Sequence, residues 1–126
     1  MNNLELLDIA NKLFDRLITV DLTMRTLEYD KQRLNKLKMN KPLILWYDEQ
    51  IKSLHNELKQ LKKGLLKIGA KGNLQAEKEK DIQIYTLILR GNSYQYRYLN
   101  ITLKNHVENE LLKRLGLPPF TTSPYE

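Results

Sequence analysis

Residues 81–103 read DIQIYTLILRGNSYQYRYLNITL, and the pairing of this stretch decides the fold. Ile82, Ile84, Thr86 and Ile88 alternate with Tyr85, Leu87 and Leu89, and β-branched and aromatic side chains in that order suit a pleated, half-buried surface. Gly91-Asn92 then interrupts the run with two residues that tolerate the positive φ of a tight hairpin turn. Beyond them the alternation resumes. Pairing outward from that turn sets Leu89 opposite Tyr94, Leu87 opposite Tyr96 and Tyr85 opposite Tyr98, which makes one face apolar and aromatic throughout. The other face pairs Ile88 with Gln95, Thr86 with Arg97, Ile84 with Leu99 and Ile82 with Ile101. The pattern predicts a β-hairpin over about 82–102.

A helical alternative competes, because Leu99, Leu103, Val107 and Leu111 lie four apart; under it the chain is an all-α bundle. Both alternatives share a last helix over about 103–115, stopped by Gly116 and then Pro118-Pro119.

Upstream the period is helical. Leu6, Ala10, Leu13, Leu17, Val20, Met24, Leu27, Lys31 and Leu34 step alternately by four and three, a heptad seam in which only Lys31 is polar. Thr19-Val20-Asp21-Leu22-Thr23 is poor helix material, yet the phase runs through it unbroken. One helix is expected over about 4–38, with strain or a kink near 19–23. Met39-Asn40-Lys41-Pro42 ends it, with Asn40 as the expected N-cap of the next helix and Pro42 in its first turn. Ile44, Tyr47, Ile51, Leu54, Leu58, Leu61, Leu65 and Ile68 carry the second seam, so a second helix is expected over about 42–68. So short a connection makes the pair antiparallel. Leu7, Phe14, Ile18 and Leu22 lie off the first seam and need cover from the C-terminal elements or from a second copy, which motivates an expected homodimer.

The expected architecture is therefore mainly α in one domain: a helical hairpin over 1–70, a basic linker at 71–80, a β-hairpin with a helix over 81–116, and an extended tail at 117–126. In that tail, LGLPPFTTSPYE, Phe120 is the candidate anchor of a docking peptide.

Charge narrows the partner classes. Residues 1–30 hold six acids against three bases, residues 31–80 thirteen bases against five acids, and residues 81–126 five bases against four acids. The net +6 is thus concentrated in the middle. Antiparallel pairing returns Lys59, Lys62, Lys63 and Lys67 alongside Glu5, Asp8 and Asp15, so ion pairing with those acids is one expected use of the lysines. A phosphate-binding surface is the other. LKQLKKGLLKIGAKG, residues 58–72, has the look of a basic amphipathic segment, but its seam leucines are committed to the partner helix, so no membrane partner is expected.

Catalytic and metal chemistry finds little to work with. The chain has no cysteine, two histidines and no phosphate-cradling glycine loop. Ser53, Ser93 and Ser123 lack the setting of a nucleophile. His106 and Glu110 stand four apart, as an exposed helical pair would, and two ligands make no metal site. The expectation is a cytoplasmic protein that is not an enzyme and has no cofactor. Two uses remain. One is nucleic-acid binding through Lys62, Lys63, Lys67, Lys71, Arg90 and Arg97, with Tyr94, Tyr96 and Tyr98 either turned inward as the core face of the hairpin or exposed as a stacking platform. The other is a protein-only adaptor or inhibitor, of the kind mobile genetic elements encode, that binds a partner such as a nucleic-acid-handling protein through the helical hairpin, the β-hairpin or the tail.

Overall fold

A computed structural model describes residues 2–120. Its order is helix α1 (Asn3–Lys31), a 3-10 turn (Leu34–Lys36), helix α2 (Asn40–Lys67), strands β1 (Ala70–Glu79), β2 (Ile82–Leu89) and β3 (Asn92–Leu99), and helix α3 (Asn100–Arg114). The mainly helical reading with a β-hairpin and a final helix holds, and the all-α alternative falls away.

α1 starts at Asn2, whose side chain accepts the Glu5 backbone N–H at 2.8 Å. The polar stretch near residue 20 stays helical because its polar groups are satisfied locally. The buried Thr23 hydroxyl donates to the Thr19 carbonyl at 2.7 Å, and Asp21 bridges Arg25 one turn on at 2.7 Å. The helix ends at Lys31, short of the expected 38. The chain must reverse before Pro42, and the tighter Leu34–Lys36 turn does so while keeping Leu34 buried on the seam. Asn40 is the first residue of α2 rather than its cap, and its amide reaches the Asn35 carbonyl at 3.4 Å. α2 returns antiparallel along α1, and a Cβ added at Gly64 would lie 3.5 Å from the Leu13 side chain.

The expected linker at 71–80 is instead strand β1. Gly69, at φ +76°, turns the chain directly out of α2, and Gly72, Leu74 and Ala76 then alternate as partly buried positions with exposed Lys71, Asn73 and Gln75. The sheet is therefore three-stranded and antiparallel, in the order β1-β2-β3, with a bulge in β1 between Asn73 and Glu77.

The β2–β3 register also differs from expectation. Leu89 pairs with Asn92, Leu87 with Tyr94, Tyr85 with Tyr96, Gln83 with Tyr98 and Ile82 with Leu99. The turn is centred on Arg90-Gly91, both at positive φ (+49° and +83°), as a two-residue hairpin turn of this hand requires. The slip is two residues, so every side chain keeps its expected face. Ile101 is left out of the hairpin, and α3 begins three residues early at Asn100, whose N–H donates to the Asp81 carbonyl at 2.7 Å.

The aromatic face of the sheet lies on α1. Phe14 is fully buried and meets Tyr85 and Tyr96 edge-on, with ring centroids 6.3 Å and 5.4 Å away. Its ring packs against Gly72, where a Cβ would come within 2.3 Å of it. Leu22 shares a cavity wall with Leu103, Val107 and Leu111 of α3. Of the residues off the α1 seam, Phe14 and Ile18 are buried within the chain, and Leu7 and Leu22 are partly buried against the same core. Residues 121–126 of the expected tail lie outside the described residues.

Candidate functional site

The last three turns of α2 place Lys59, Lys62, Lys63 and Lys67 in solvent, and β1 adds Lys71 four residues later. Residues 58–71 contain no acid. The sheet brings a sixth cation to this end of the molecule. The Arg90 backbone N–H donates to the Gly69 carbonyl at 2.9 Å, and the Arg90 side chain lies over Gly69, with Cγ 3.2 Å from where a Cβ would be. Gly69 therefore makes the sharp exit from α2 and leaves room for that arginine. Lys62 and Lys71 flank a cavity of about 320 Å³ floored by Leu17, Leu65, Ala70 and Gly72.

The expected ion pairs between these lysines and α1 do not form. Asp8 bridges Lys12 at 3.1 Å, Asp15 accepts from the Tyr98 hydroxyl at 2.7 Å, and Glu5 takes part in the Asn2 cap. Among the described residues none of Lys59, Lys62, Lys63, Lys67, Lys71 and Arg90 has an ion-pair partner. Six exposed cations thus share one end of the protein without neutralisation, close to a helix C-terminus whose partial negative charge favours them.

The remaining candidates separate from this cluster. Arg97 lies opposite Ile84 and not at the hairpin tip, and it bridges Glu79 of β1 at 3.6 Å. The bridge joins the two outer strands across β2 on the outer face, where Ile84 is buried. Tyr94, Tyr96 and Tyr98 form no exposed platform. All three are partly buried against the core; Tyr96 donates to the Asn11 side chain and Tyr98 to Asp15. Burial raises the Tyr85 and Tyr96 hydroxyls above the usual tyrosine value, and burial together with the Asp15 contact raises Tyr98 further. The face turned inward because it carries the largest apolar area of the hairpin, and a two-stranded hairpin needs a helix to lie on.

A second polar cluster has no forerunner in the sequence reading. Arg16 of α1 forks onto Glu57 of α2, at 2.6 and 2.9 Å, and onto Glu110 of α3, at 2.6 and 3.1 Å. Arg114 completes the group with Glu110 at 2.9 Å, Gln50 at 3.0 Å and Glu57 at 3.6 Å. Two arginines and two glutamates cancel, and the cluster ties the three helices together. Glu110 is only 6% exposed, so the expected exposed pair with His106 is replaced by the hub of an ion network. Bonds from Arg16 hold both carboxyls below the usual range, and the two glutamates raise Arg16. Every strong group here is answered by another, which is the signature of a structural clamp. Only Glu110 and Arg114, four apart on α3, offered a local sign of it.

Among the described residues no helix is long and apolar enough to cross a membrane. The chain matches the model of the YhjD protein family over residues 8–118, most of its length, and belongs to that family. No curated protein and no solved structure matches it significantly.

Proposed function

We propose that the protein is a small, non-catalytic nucleic-acid-associated accessory or regulatory protein that holds phosphates at the end of α2, the start of β1 and the β2–β3 turn. The observation that carries this reading is the cluster Lys59, Lys62, Lys63, Lys67, Lys71 and Arg90, exposed, with no acid in residues 58–71 and no ion-pair partner among the described residues. A solvated face evolved only for solubility gains nothing from excluding acids, whereas a phosphate ligand supplies the missing anions. Each ammonium that meets a phosphate releases condensed counterions, so the binding is driven by salt release and reads no base. The tyrosines contribute by fixing the sheet on α1, which holds Arg90 beside Gly69; Arg97 has its own partner and stands outside the interface.

Fluorescence anisotropy with short labelled DNA and RNA strands tests the proposal. Wild-type protein binds at low salt, Lys62→Glu with Lys63→Glu weakens binding to every sequence alike, and Arg97→Gln leaves it unchanged. Absence of binding at low salt, or indifference to the lysine reversal, rejects it. Recovery of one protein partner from cell extract after nuclease treatment, together with absent oligonucleotide binding, would instead establish the protein-only adaptor.

A further inference from the structure

The opposite end of the helical hairpin carries a surface that the interface above does not use. Residues 29–46 form the tip of the helical hairpin, where α1 ends, the chain turns, and α2 begins. With 28 residues in α2 at about 1.5 Å each, the tip stands about 40 Å from Lys67 and Lys71. Met39 is 75% exposed and Leu45 67%, and Leu37, Leu43 and Tyr29 are exposed beside them. Single surface leucines need no explanation, but five large apolar side chains exposed around one reversal of the chain do.

The charges at the tip are equally one-sided. Lys31, Arg33, Lys36, Lys38 and Lys41 fall between residues 31 and 41 with no acid among them. Lys31 is bridged to Asp48 at 2.5 Å. The other four are exposed and have no ion-pair partner among the described residues, and Arg33 stacks over Tyr29 at 4.6 Å from its ring centre. Of the nearest acids, Asp30 stands at the α1 edge of the tip, and Glu28, Asp48 and Glu49 lie just below it on the two helices.

We propose that this tip docks the protein peripherally onto bilayers containing acidic phospholipid. Alkyl side chains interspersed with cations meet both layers of such a surface: Leu37, Met39, Leu43 and Leu45 enter the acyl boundary while Lys36, Lys38, Lys41 and Arg33 meet the headgroup phosphates. A nucleic acid would use the cations and leave the four alkyl groups facing a polar ligand. A second copy of the chain would set four cations against four cations. Residues 58–72 are unsuited to the same task because their seam leucines are buried on α1, whereas the apolar groups of the tip are free. No described helix spans a membrane, so docking stops at the interface.

Trp46, the single tryptophan of the chain, sits at this tip and is partly exposed, so its emission reports on this end alone. Flotation and Trp46 fluorescence are measured with phosphatidylcholine vesicles that contain or lack phosphatidylglycerol. The protein floats only with the anionic vesicles, Trp46 shifts to the blue, and brominated acyl chains quench it. Replacing Lys36 and Lys38 by Ala weakens binding about 25-fold, at about fivefold for each cation near the surface. Leu45→Asp abolishes flotation with an unchanged circular dichroism spectrum. The pair Lys62→Glu and Lys63→Glu leaves flotation intact, since those residues stand about 30 Å along α2 from its start at the tip, several screening lengths at physiological salt; membrane docking and nucleic-acid binding thus fail independently. No flotation with anionic vesicles at low salt overturns the proposal. So does a Trp46 response to oligonucleotides in place of vesicles, which would make the tip a nucleic-acid contact.

Discussion

Replacing Glu110 by Gln probes the clamp that joins the three helices. The change keeps the side-chain shape but removes the charge that receives Arg16 at 2.6 and 3.1 Å and Arg114 at 2.9 Å. Two arginines then face one glutamate, and the cluster moves from neutral to a net positive charge. Removing one partner of a buried ion group costs about 3–5 kcal/mol, because the remaining charge stays desolvated without its counterpart. Glu110 is nearly buried, while Arg16 retains Glu57 and some solvent, so the low end applies, about 3 kcal/mol. For a domain of this size that lowers Tm by about 10 °C.

Thermal unfolding followed by far-UV circular dichroism at neutral pH reads the loss directly. Acid supplies an internal check. Glu57 and Glu110 are held below the usual carboxyl value of 4.5, so their stabilisation is complete above that value and fades as pH falls through their lower folded values. The gap in Tm between wild type and Glu110→Gln must therefore narrow at acid pH. A drop of less than about 3 °C at neutral pH, or a gap that ignores acid, would refute the clamp.

Gly72→Ala drives a Cβ to within 2.3 Å of the buried Phe14 ring, and overpacking of that kind costs about 1–3 kcal/mol, seen as a lower midpoint in urea; an unchanged midpoint contradicts the packing. Tyr96→Ala deletes an edge-on contact with Phe14 and a bond to Asn11 and costs about 3 kcal/mol, with oligonucleotide affinity of the folded protein unchanged; a wild-type Tm with weakened binding would restore the stacking platform. The hydroxyls of Tyr85, Tyr96 and Tyr98 are all raised above the usual value of 10.0, so the stability they confer is complete below that pH and is lost as pH climbs toward their folded values. Tyrosinate absorbance should appear together with unfolding, and ionisation in a still-folded protein would contradict their burial.

The seams of α1 and α2 were legible because a heptad repeat depends only on spacing, and the off-seam Phe14 and Leu22 announced that a further layer had to cover α1. Strand β1 was hidden by composition: its inward positions are Gly72, Leu74 and Ala76, small or few, and its outward positions are charged or polar, so an edge strand looked like a basic linker. The hairpin register was ambiguous because Arg90-Gly91 and Gly91-Asn92 both offer a glycine, and an alternation of period two cannot distinguish slips of two residues. The lysines of the candidate site were visible as a run, but Arg90 joins them only through its bond to Gly69, and Arg97 leaves them only because β1 supplies Glu79. The clamp was beyond reach. Arg16 is 41 residues from Glu57 and 94 from Glu110, and nothing local marks contacts of that separation.

The dependence of oligonucleotide affinity on salt tests the functional reading most directly. If Lys59, Lys62, Lys63, Lys67, Lys71 and Arg90 each meet a phosphate, the logarithm of the association constant falls with the logarithm of salt concentration at a slope of about −5 on duplex DNA and about −4 on a single strand. Lys62→Glu with Lys63→Glu flattens that slope. A slope near zero, or no binding even at the lowest salt, would contradict the account.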